Sequence, residues 1–164
     1  MEITKVYSSK DVEDVARVAN IVWSEHYTPI IGVEQVEYMI DKFQSSTAIL
    51  QQIKENNYEY FLLKENEQSI GYIGLQVQGS QLFLSKIYMQ KSFRGKGFGK
   101  SSFDFIEKYA CEHGCTEIYL TVNKNNHNSI AVYEKSGFKK TNEAVANIGN
   151  GYVMDDYIMT KMVL

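Results

Sequence analysis

The sequence predicts a mixed α/β fold in which helices flank a central β-sheet, on three observations. Hydrophobic residues make up 44% of the chain and charged residues 23%, the balance of an ordinary globular protein. The apolar periodicity is helical in the first third of the chain and then becomes alternating. Helical and strand-like segments take turns in the second half. Since 164 residues is the size of one domain, residues 1–164 are predicted to form a single domain.

Helical periodicity predicts five helices. The first begins at the capping-box sequence Ser8–Asp11, and its apolar stripe extends to His26. The segment Tyr27–Gly32 contains the single proline, Pro29, and is predicted to be a loop. The other four helices are predicted at residues 33–43, 47–56, 98–113 and 128–136.

Alternating apolar residues predict seven strands. Tight turns at Glu65–Ser69 and Gly79-Ser80 make the second, third and fourth strands an antiparallel meander. The strand–helix–strand segment that follows must cross over right-handedly. The strands are predicted at residues 2–7, 58–64, 70–78, 81–89, 117–122, 138–144 and 157–163.

The composition argues against several classes of protein. A net charge of −3 lacks the excess of basic residues that is typical of nucleic-acid-binding proteins. No apolar run is long enough to span a membrane. The N-terminus lacks the pattern of a secretory signal, so a cytoplasmic location without nucleic-acid or membrane partners is expected. Cys111 and Cys115 lack further ligands at suitable spacing, and we interpret them as packing residues with no metal site.

The charge is distributed unevenly along the chain. Residues 1–60 contain ten acidic and five basic side chains, whereas residues 81–100 contain five basic and no acidic ones. The second of these segments includes Gly95, Gly97 and Gly99, between a predicted strand and a predicted helix. Glycines let a backbone approach a ligand, and a helix N-terminus favours an anion. Residues 94–100, here called the cradle, are therefore predicted to bind phosphate groups.

Two familiar phosphate-binding patterns do not fit the cradle. A Walker A loop needs four residues between its first glycine and Gly-Lys-Ser, but Gly95 and Gly99 enclose three. A dinucleotide fingerprint needs G-x-G-x-x-G in a βαβ unit, and this loop reads G-x-G-x-G after a meander. A glycine-rich turn without a ligand is the remaining structural alternative.

The pattern that does fit is [Q/R]-x-x-G-x-[G/A], met by Arg94, Gly97 and Gly99. A second element further along reads N-x-x-[A/S]-x-x-x-Y-x-x-x-G-F. Its matching residues are Asn126, Ser129, Tyr133, Gly137 and Phe138. With these two motifs in this order, the chain resembles the GNAT family of N-acetyltransferases along essentially its whole length. The resemblance implies the GNAT fold and acetyl transfer from acetyl-coenzyme A to a primary amine, without a covalent enzyme intermediate.

The resemblance also implies which residues bind acetyl-coenzyme A. Backbone groups at a strand bulge would bind the pantetheine and the thioester carbonyl, cradle amides would bind the pyrophosphate, and an asparagine would contact the cofactor arm. Asn123 is a weaker candidate for that last contact. The implied residues are Ile87, Tyr88, Met89, Arg94, Gly95, Lys96, Gly97, Phe98, Gly99, Lys100 and Asn126.

Tyr133 matches the tyrosine that protonates the departing thiolate in the family, a role that suits a phenol with a pKa near 10. At pH 7 only about one in a few thousand alkylammonium groups is deprotonated. The reaction therefore also needs a general base that takes a proton from the amine. Many members carry a carboxylate near Ser85, but the strand Leu82–Met89 has none. The sequence therefore does not identify the general base, for which Glu25 and His26 are candidates.

The acidic first third corresponds to the acceptor-binding region of the family. Glu25, His26, Glu34 and Glu37 are therefore predicted to line a site for a cationic amine such as a polyamine, a small amine or a peptide amine. Two alternatives stay open: a coenzyme A-binding module without catalysis, and a nucleotide-binding protein that uses the Gly95–Gly99 loop. The sequence names neither the amine nor the oligomeric state, although homodimers are common among similar proteins.

Overall fold

The computed structural model describes residues 1–163, which form seven strands and five helices in the predicted order. The helices are α1 (Ser9–Ile31), α2 (Val33–Gln44), α3 (Ser46–Glu55), α4 (Phe98–Glu112) and α5 (His127–Lys135). The strands are β1 (Glu2–Lys5), β2 (Tyr58–Glu65), β3 (Gln68–Gln78), β4 (Gln81–Met89), β5 (Glu117–Asn123), β6 (Lys139–Gly149) and β7 (Tyr152–Met162). A short 3-10 turn, Lys91–Phe93, precedes α4.

Hydrogen bonds join the strands in the order β1-β2-β3-β4-β5-β7-β6. β1 and β3 each pair with β2 antiparallel, and β6 and β5 each pair with β7 antiparallel. The start of β4 pairs with β5 parallel, as a crossover connection through α4 requires. The chain divides into two compact units: Met1–Gln76 with Ser85–Ser101, and Val77–Leu84 with the chain from Ser102 onward.

The first unit is organised around α1. The predicted capping box is present: Ser8 Oγ accepts a hydrogen bond from the Asp11 amide at 3.1 Å, and the Asp11 carboxylate accepts one from the Ser8 amide at 3.2 Å. Further along, Trp23 Nε1 donates to the Tyr72 hydroxyl at 2.8 Å. Gln44 bridges the hydroxyls of Tyr72 and Tyr60, so the buried polar atoms of this core are satisfied by one another.

The prediction of a loop at Tyr27–Gly32 was wrong, because α1 continues through Pro29 to Ile31. A proline inside a helix removes one hydrogen bond, here the one to the Glu25 carbonyl. The surrounding turn is held by other contacts. The Gly32 amide donates to the Thr28 carbonyl at 3.0 Å, and the Tyr27 hydroxyl contacts the Tyr88 hydroxyl at 2.9 Å. Tertiary packing therefore outweighs the local preference of proline for ending the helix.

The second unit contains β5, β6, β7, most of α4, and α5. Its core is formed by buried apolar side chains on these elements: Ile106, Ile118, Leu120, Ile130, Phe138 and Met159. β6 and β7 are longer than predicted, since residues 145–149 and 152–156 are strand as well. They meet at Asn150-Gly151, with φ of +54° and +79°, the dipeptide and conformation of a tight hairpin turn.

Candidate active site

The cradle forms an open loop before the N-terminus of α4. Gly95 and Gly97 have φ of +78° and +81°, the left-handed region that favours glycine. A Cβ at Gly95, Gly97 or Gly99 would meet no atom within 4 Å, so this backbone faces open space. The helical hydrogen bond from the Ser101 amide to the Gly97 carbonyl, at 3.4 Å, closes the first turn of α4. The amides of that turn point toward the loop and can bind an anion.

Arg94 is held at the start of the cradle by two partners. Its Nε and Nη2 atoms both donate to the Met89 carbonyl at 3.3 Å. Its Nη2 also donates to Nε2 of His26 on α1. The guanidinium thus ties the end of β4 to α1, and its exposed remainder gives the loop a positive charge. This charge suits the pyrophosphate that sequence analysis predicts here.

Glu25 and His26 contact the loop that follows β4. The Glu25 carboxylate accepts a hydrogen bond from the Lys91 amide at 3.3 Å, in the 3-10 turn before the cradle. Burial, and then the Arg94 charge, lower the pKa of His26 to about 4. The neutral imidazole therefore accepts the Arg94 hydrogen bond at physiological pH, and it is a weak proton acceptor for a substrate.

The end of β4 approaches β3 closely at Gly71. The Tyr88 carbonyl oxygen lies well inside van der Waals distance of where a Gly71 Cβ would stand, and Met89 Cα lies 3.0 Å from it. Only a residue without a side chain fits this approach. Ile87, Tyr88 and Met89 are partly exposed. The backbone of the predicted pantetheine-binding segment is thus held against β3.

β4 carries a feature that sequence analysis missed, the ammonium of Lys86. Burial lowers the pKa of Lys86 to about 8, and its Nζ donates to Ser85 Oγ. The aliphatic part of Lys86 covers Gly74, whose missing side chain leaves room for it. Ser85 lies close to where the resemblance implies a carboxylate in many family members. Here the serine hydroxyl binds a cation of the chain itself.

Glu34 and Glu37 lie one turn apart on α2, and both are exposed. Asp41 continues the same helical face one turn further, so α2 presents a stripe of three carboxylates to solvent. Such a stripe can attract a cation over several ångströms, in a salt-dependent way.

Asn126 and Tyr133 belong to the second unit. Asn126 is buried and caps α5, since its Oδ1 accepts a hydrogen bond from the Ser129 amide at 3.3 Å. Tyr133 lies in the last turn of α5 and is half-buried. Its ring contacts Phe103 and Phe138 edge-on, at centroid distances of 6.2 and 6.0 Å. This packing fixes the direction of the phenol.

The loop fits the phosphate part of coenzyme A, because its open glycine backbone, a helix N-terminus and Arg94 occur together. No cluster of three or more His, Cys, Asp or Glu side chains that could hold a metal ion occurs in residues 1–163. Over the same residues, no helix combines the length and the apolar character needed to cross a membrane.

Comparison with known proteins identifies the class. Residues 15–138 match the model of the acetyltransferase (GNAT) family, so the chain belongs to that family and is an acetyltransferase. GNAT acetyltransferases use acetyl-coenzyme A.

Among its relatives, a spermidine N(1)-acetyltransferase of Thermoplasma acidophilum is 29% identical over 143 residues, which cover 85% of this chain and 88% of the relative. An uncharacterized N-acetyltransferase of Lactobacillus delbrueckii subsp. lactis is 22% identical, with 96% and 95% covered. The crystal structure of a PaiA N-acetyltransferase from Thermoplasma acidophilum in complex with coenzyme A has a TM-score of 0.81, with 24% identity and 99% of both chains covered. The GNAT fold is thereby confirmed.

A second residue that sequence analysis missed is Asp156 on β7. It is 6% exposed, and burial, followed by repulsion from Asp155, raises its pKa to about 6. The sequence offers only a weak signal, an Asp155-Asp156 pair in an alternating segment. One of two successive strand residues must point to the covered face, but the sequence alone does not say which.

Proposed function

We propose that this chain transfers the acetyl group of acetyl-coenzyme A to a primary amine of a polyamine or a similar small cation, within one domain of residues 1–164. The open glycine backbone before α4, with its left-handed Gly95 and Gly97, is the observation that carries the proposal. Residues Arg94–Lys100 would hold the pyrophosphate, Ile87–Met89 would hold the pantetheine, and Asn126 would contact the cofactor arm. Bound there, acetyl-coenzyme A supplies an activated acetyl thioester.

Two observations support a cationic acceptor. Glu34, Glu37 and Asp41 form an exposed acidic stripe on α2. The relative from Thermoplasma acidophilum with 29% identity is a spermidine N(1)-acetyltransferase. A polyamine has several ammonium groups, and a set of carboxylates would hold one of them while another reacts. Peptide amines and other small amines remain within the same class of substrate.

Tyr133 is proposed to protonate the departing thiolate. A phenol stays protonated at neutral pH, so it can donate a proton without first having to gain one. The support is its place in the second family motif together with its fixed ring. Backbone amides at the end of β4 would stabilise the negative oxygen that develops on the thioester carbonyl.

A coenzyme A-binding protein without catalysis is the second candidate, favoured by the lack of a carboxylate on Leu82–Met89. Two measurements separate the candidates. Thermal unfolding with coenzyme A, and in parallel with ATP and magnesium, tests the ligand; at 100 times Kd a ligand adds about 2.7 kcal/mol of stability. Thiol release from acetyl-coenzyme A with polyamines, amino acids, aminoglycosides and short peptides tests turnover. Stabilisation by coenzyme A with no release on any amine would favour the second candidate.

A further inference from the structure

Asp156 is a buried carboxylate without a partner. Its residue surface is 6% exposed, and no hydrogen bond or ion pair to its side chain occurs in residues 1–163. A buried charge is costly unless it is paired, so carboxylates at such positions are normally hydrogen-bonded. The carboxylate oxygens are not completely closed off from solvent, so a cation from outside the chain can reach this unpaired carboxylate.

The strands on either side of Asp156 define which residues would surround a ligand bound to its carboxylate. In the hydrogen-bonded register, Asp156 lies opposite Asn123 on β5 and opposite Ala144 on β6, so the three share one face of the sheet. Asn123 is the last residue of β5. Its carbonyl accepts the Asn126 amide at 2.9 Å, and Asn126 caps the helix that carries Tyr133. The residue opposite on β6, Ala144, has a side chain of one methyl group and carries no charge or hydrogen-bonding group toward Asp156.

The other charged groups near Asp156 form ion pairs with one another. Lys124, after β5, pairs with Asp155 on β7 at 3.0 Å and with Glu143 on β6 at 3.4 Å. These contacts, that with Asp155 first, raise the pKa of Lys124. Asp155 and Glu143 lie on the strand face opposite Asp156, so Lys124 is paired on that face and forms no ion pair with Asp156. The Asp156 carboxylate is therefore left for a cation from outside the chain.

We propose that Asp156 binds the reacting ammonium of the acceptor and takes its proton as the general base of acetyl transfer. This inference rests on the proposed function. It fills the role for which Leu82–Met89 offers no carboxylate.

The reaction balances with this assignment. The ammonium gives one proton to the Asp156 carboxylate, and the freed nitrogen lone pair forms the C–N bond to the acetyl carbon. The C–S bond breaks, and sulfur leaves with the electron pair and takes a proton from Tyr133. Tyr133 regains a proton when the nitrogen loses its second one on becoming an amide. Asp156 passes its proton to solvent, which is the one net proton released.

The electrostatics of the site suit a base. Burial first, and then repulsion from Asp155, raise the pKa of Asp156 to about 6, while Lys124 acts in the opposite direction. Compared with an ordinary aspartate near pKa 3.8, this carboxylate is about a hundredfold stronger as a proton acceptor. At pH 7.5 it is still mostly ionised, so it is ready to accept.

The test is Asp156→Asn, assayed by thiol release with spermidine from pH 7 to 9.5. At pH 7.5 we expect kcat/KM for spermidine to fall about 100-fold, in the range of general-base losses, with an unchanged Kd for coenzyme A. The deficit should shrink about tenfold per pH unit, because the free amine becomes more abundant and no longer needs a base. Asp155→Asn, on the same strand but 56% exposed, is the matched control and should keep activity within about twofold at pH 8.

Thermal unfolding of the same variants separates a catalytic from a structural role. A raised pKa means that ionised Asp156 destabilises the fold above pH 6, and that this cost disappears as the pH falls below 4. Asp156→Asn should therefore raise Tm by a few degrees at pH 8 and not at pH 4. A lowered Tm with a pH-independent loss of activity would overturn the assignment, and so would activity within threefold of wild type at pH 7.5. If wild type itself releases no thiol with any amine, the proposed function fails first.

Discussion

The imidazole of His26 on α1 accepts a hydrogen bond from the guanidinium of Arg94, 68 residues later at the start of the cradle. The two residues lie on different elements, and neither needs the other for its local structure. Because Arg94 also holds the Met89 carbonyl, this contact sets where the cradle begins. A residue predicted to line the amine site thus contacts the proposed phosphate-binding loop.

Replacing His26 should weaken acetyl-coenzyme A binding more than it slows turnover. His26→Phe removes the acceptor of a hydrogen bond that holds the Arg94 guanidinium in place, which is worth about 1 kcal/mol. We therefore expect KM for acetyl-coenzyme A to rise about 5- to 10-fold, with kcat within threefold of wild type. His26→Gln, whose carbonyl can accept the same bond, should restore part of the affinity. His113→Phe at the exposed end of α4 is the control. A drop in kcat with an unchanged KM would point instead to a role in proton transfer.

The lowered pKa of His26 predicts a pH-dependent difference in stability. In the unfolded chain His26 takes up a proton below about pH 6.5, whereas in the folded chain it does so only near pH 4. Wild type therefore loses stability between pH 6.5 and 4, and His26→Gln does not. The difference in Tm between His26→Gln and wild type should become more positive as the pH falls through this range. A constant difference would contradict a neutral His26.

Two glycine substitutions should have opposite effects on stability. Gly71→Ala would drive a methyl group into the Tyr88 carbonyl and the Met89 backbone, so we expect a loss of roughly 3 kcal/mol, or about 6–12 °C in Tm. Gly99→Ala meets nothing within 4 Å in the first turn of α4, and should keep or slightly raise Tm. The same methyl group should weaken coenzyme A binding, measured by calorimetry. An unchanged Tm for Gly71→Ala would mean that the β4 backbone can move.

Tyr133→Phe tests the proposed general acid. Phenylalanine keeps the ring contacts with Phe103 and Phe138, because these do not involve the hydroxyl. We expect kcat to fall about 10- to 1000-fold, with little change in Kd for coenzyme A. Activity equal to wild type would remove Tyr133 from the mechanism.

The acidic stripe of α2 should affect the acceptor and leave the cofactor unaffected. Reversing Glu34 and Glu37 to Lys replaces attraction by repulsion, so KM for spermidine should rise about 2- to 10-fold at low ionic strength and less at high salt. The control reverses two other exposed glutamates, Glu13 and Glu55, for the same change in net charge. Equal effects of both double variants would indicate a response to net charge alone.

The sequence predicted the order of all helices and strands because their local patterns are strong. The capping box at Ser8 and the turn at Gly79-Ser80 encode their structures within a few residues. The two largest errors in the predicted boundaries, at the end of α1 and in the β6–β7 hairpin, have different reasons. Pro29 stays helical through the contact between Tyr27 and Tyr88, 61 residues away. The β6–β7 hairpin exposes most of β6 and so shows no clear apolar face, although Asn150-Gly151 is a recognisable turn signal.

Less of the candidate site than of the fold could be predicted from the sequence. The cradle could be found because glycine spacing and a helix start encode it locally. The partner of His26 and the burial of Asp156 depend on which strands and helices meet, and one sequence does not give that register. Asp155 and Asp156 are adjacent and chemically identical, yet one is 56% exposed at its side chain and the other is buried. That difference follows from the alternation of strand faces.

The most direct test of the account is a stoichiometric assay of wild type with acetyl-coenzyme A and spermidine at pH 8. Thiol release and the acetylated product, identified by mass spectrometry, are measured in the same reaction. We expect one acetylated primary amine for each thiol released, at a rate that saturates with spermidine. Stabilisation by coenzyme A with neither thiol release nor acetylated product, on spermidine or on any other amine, would contradict it.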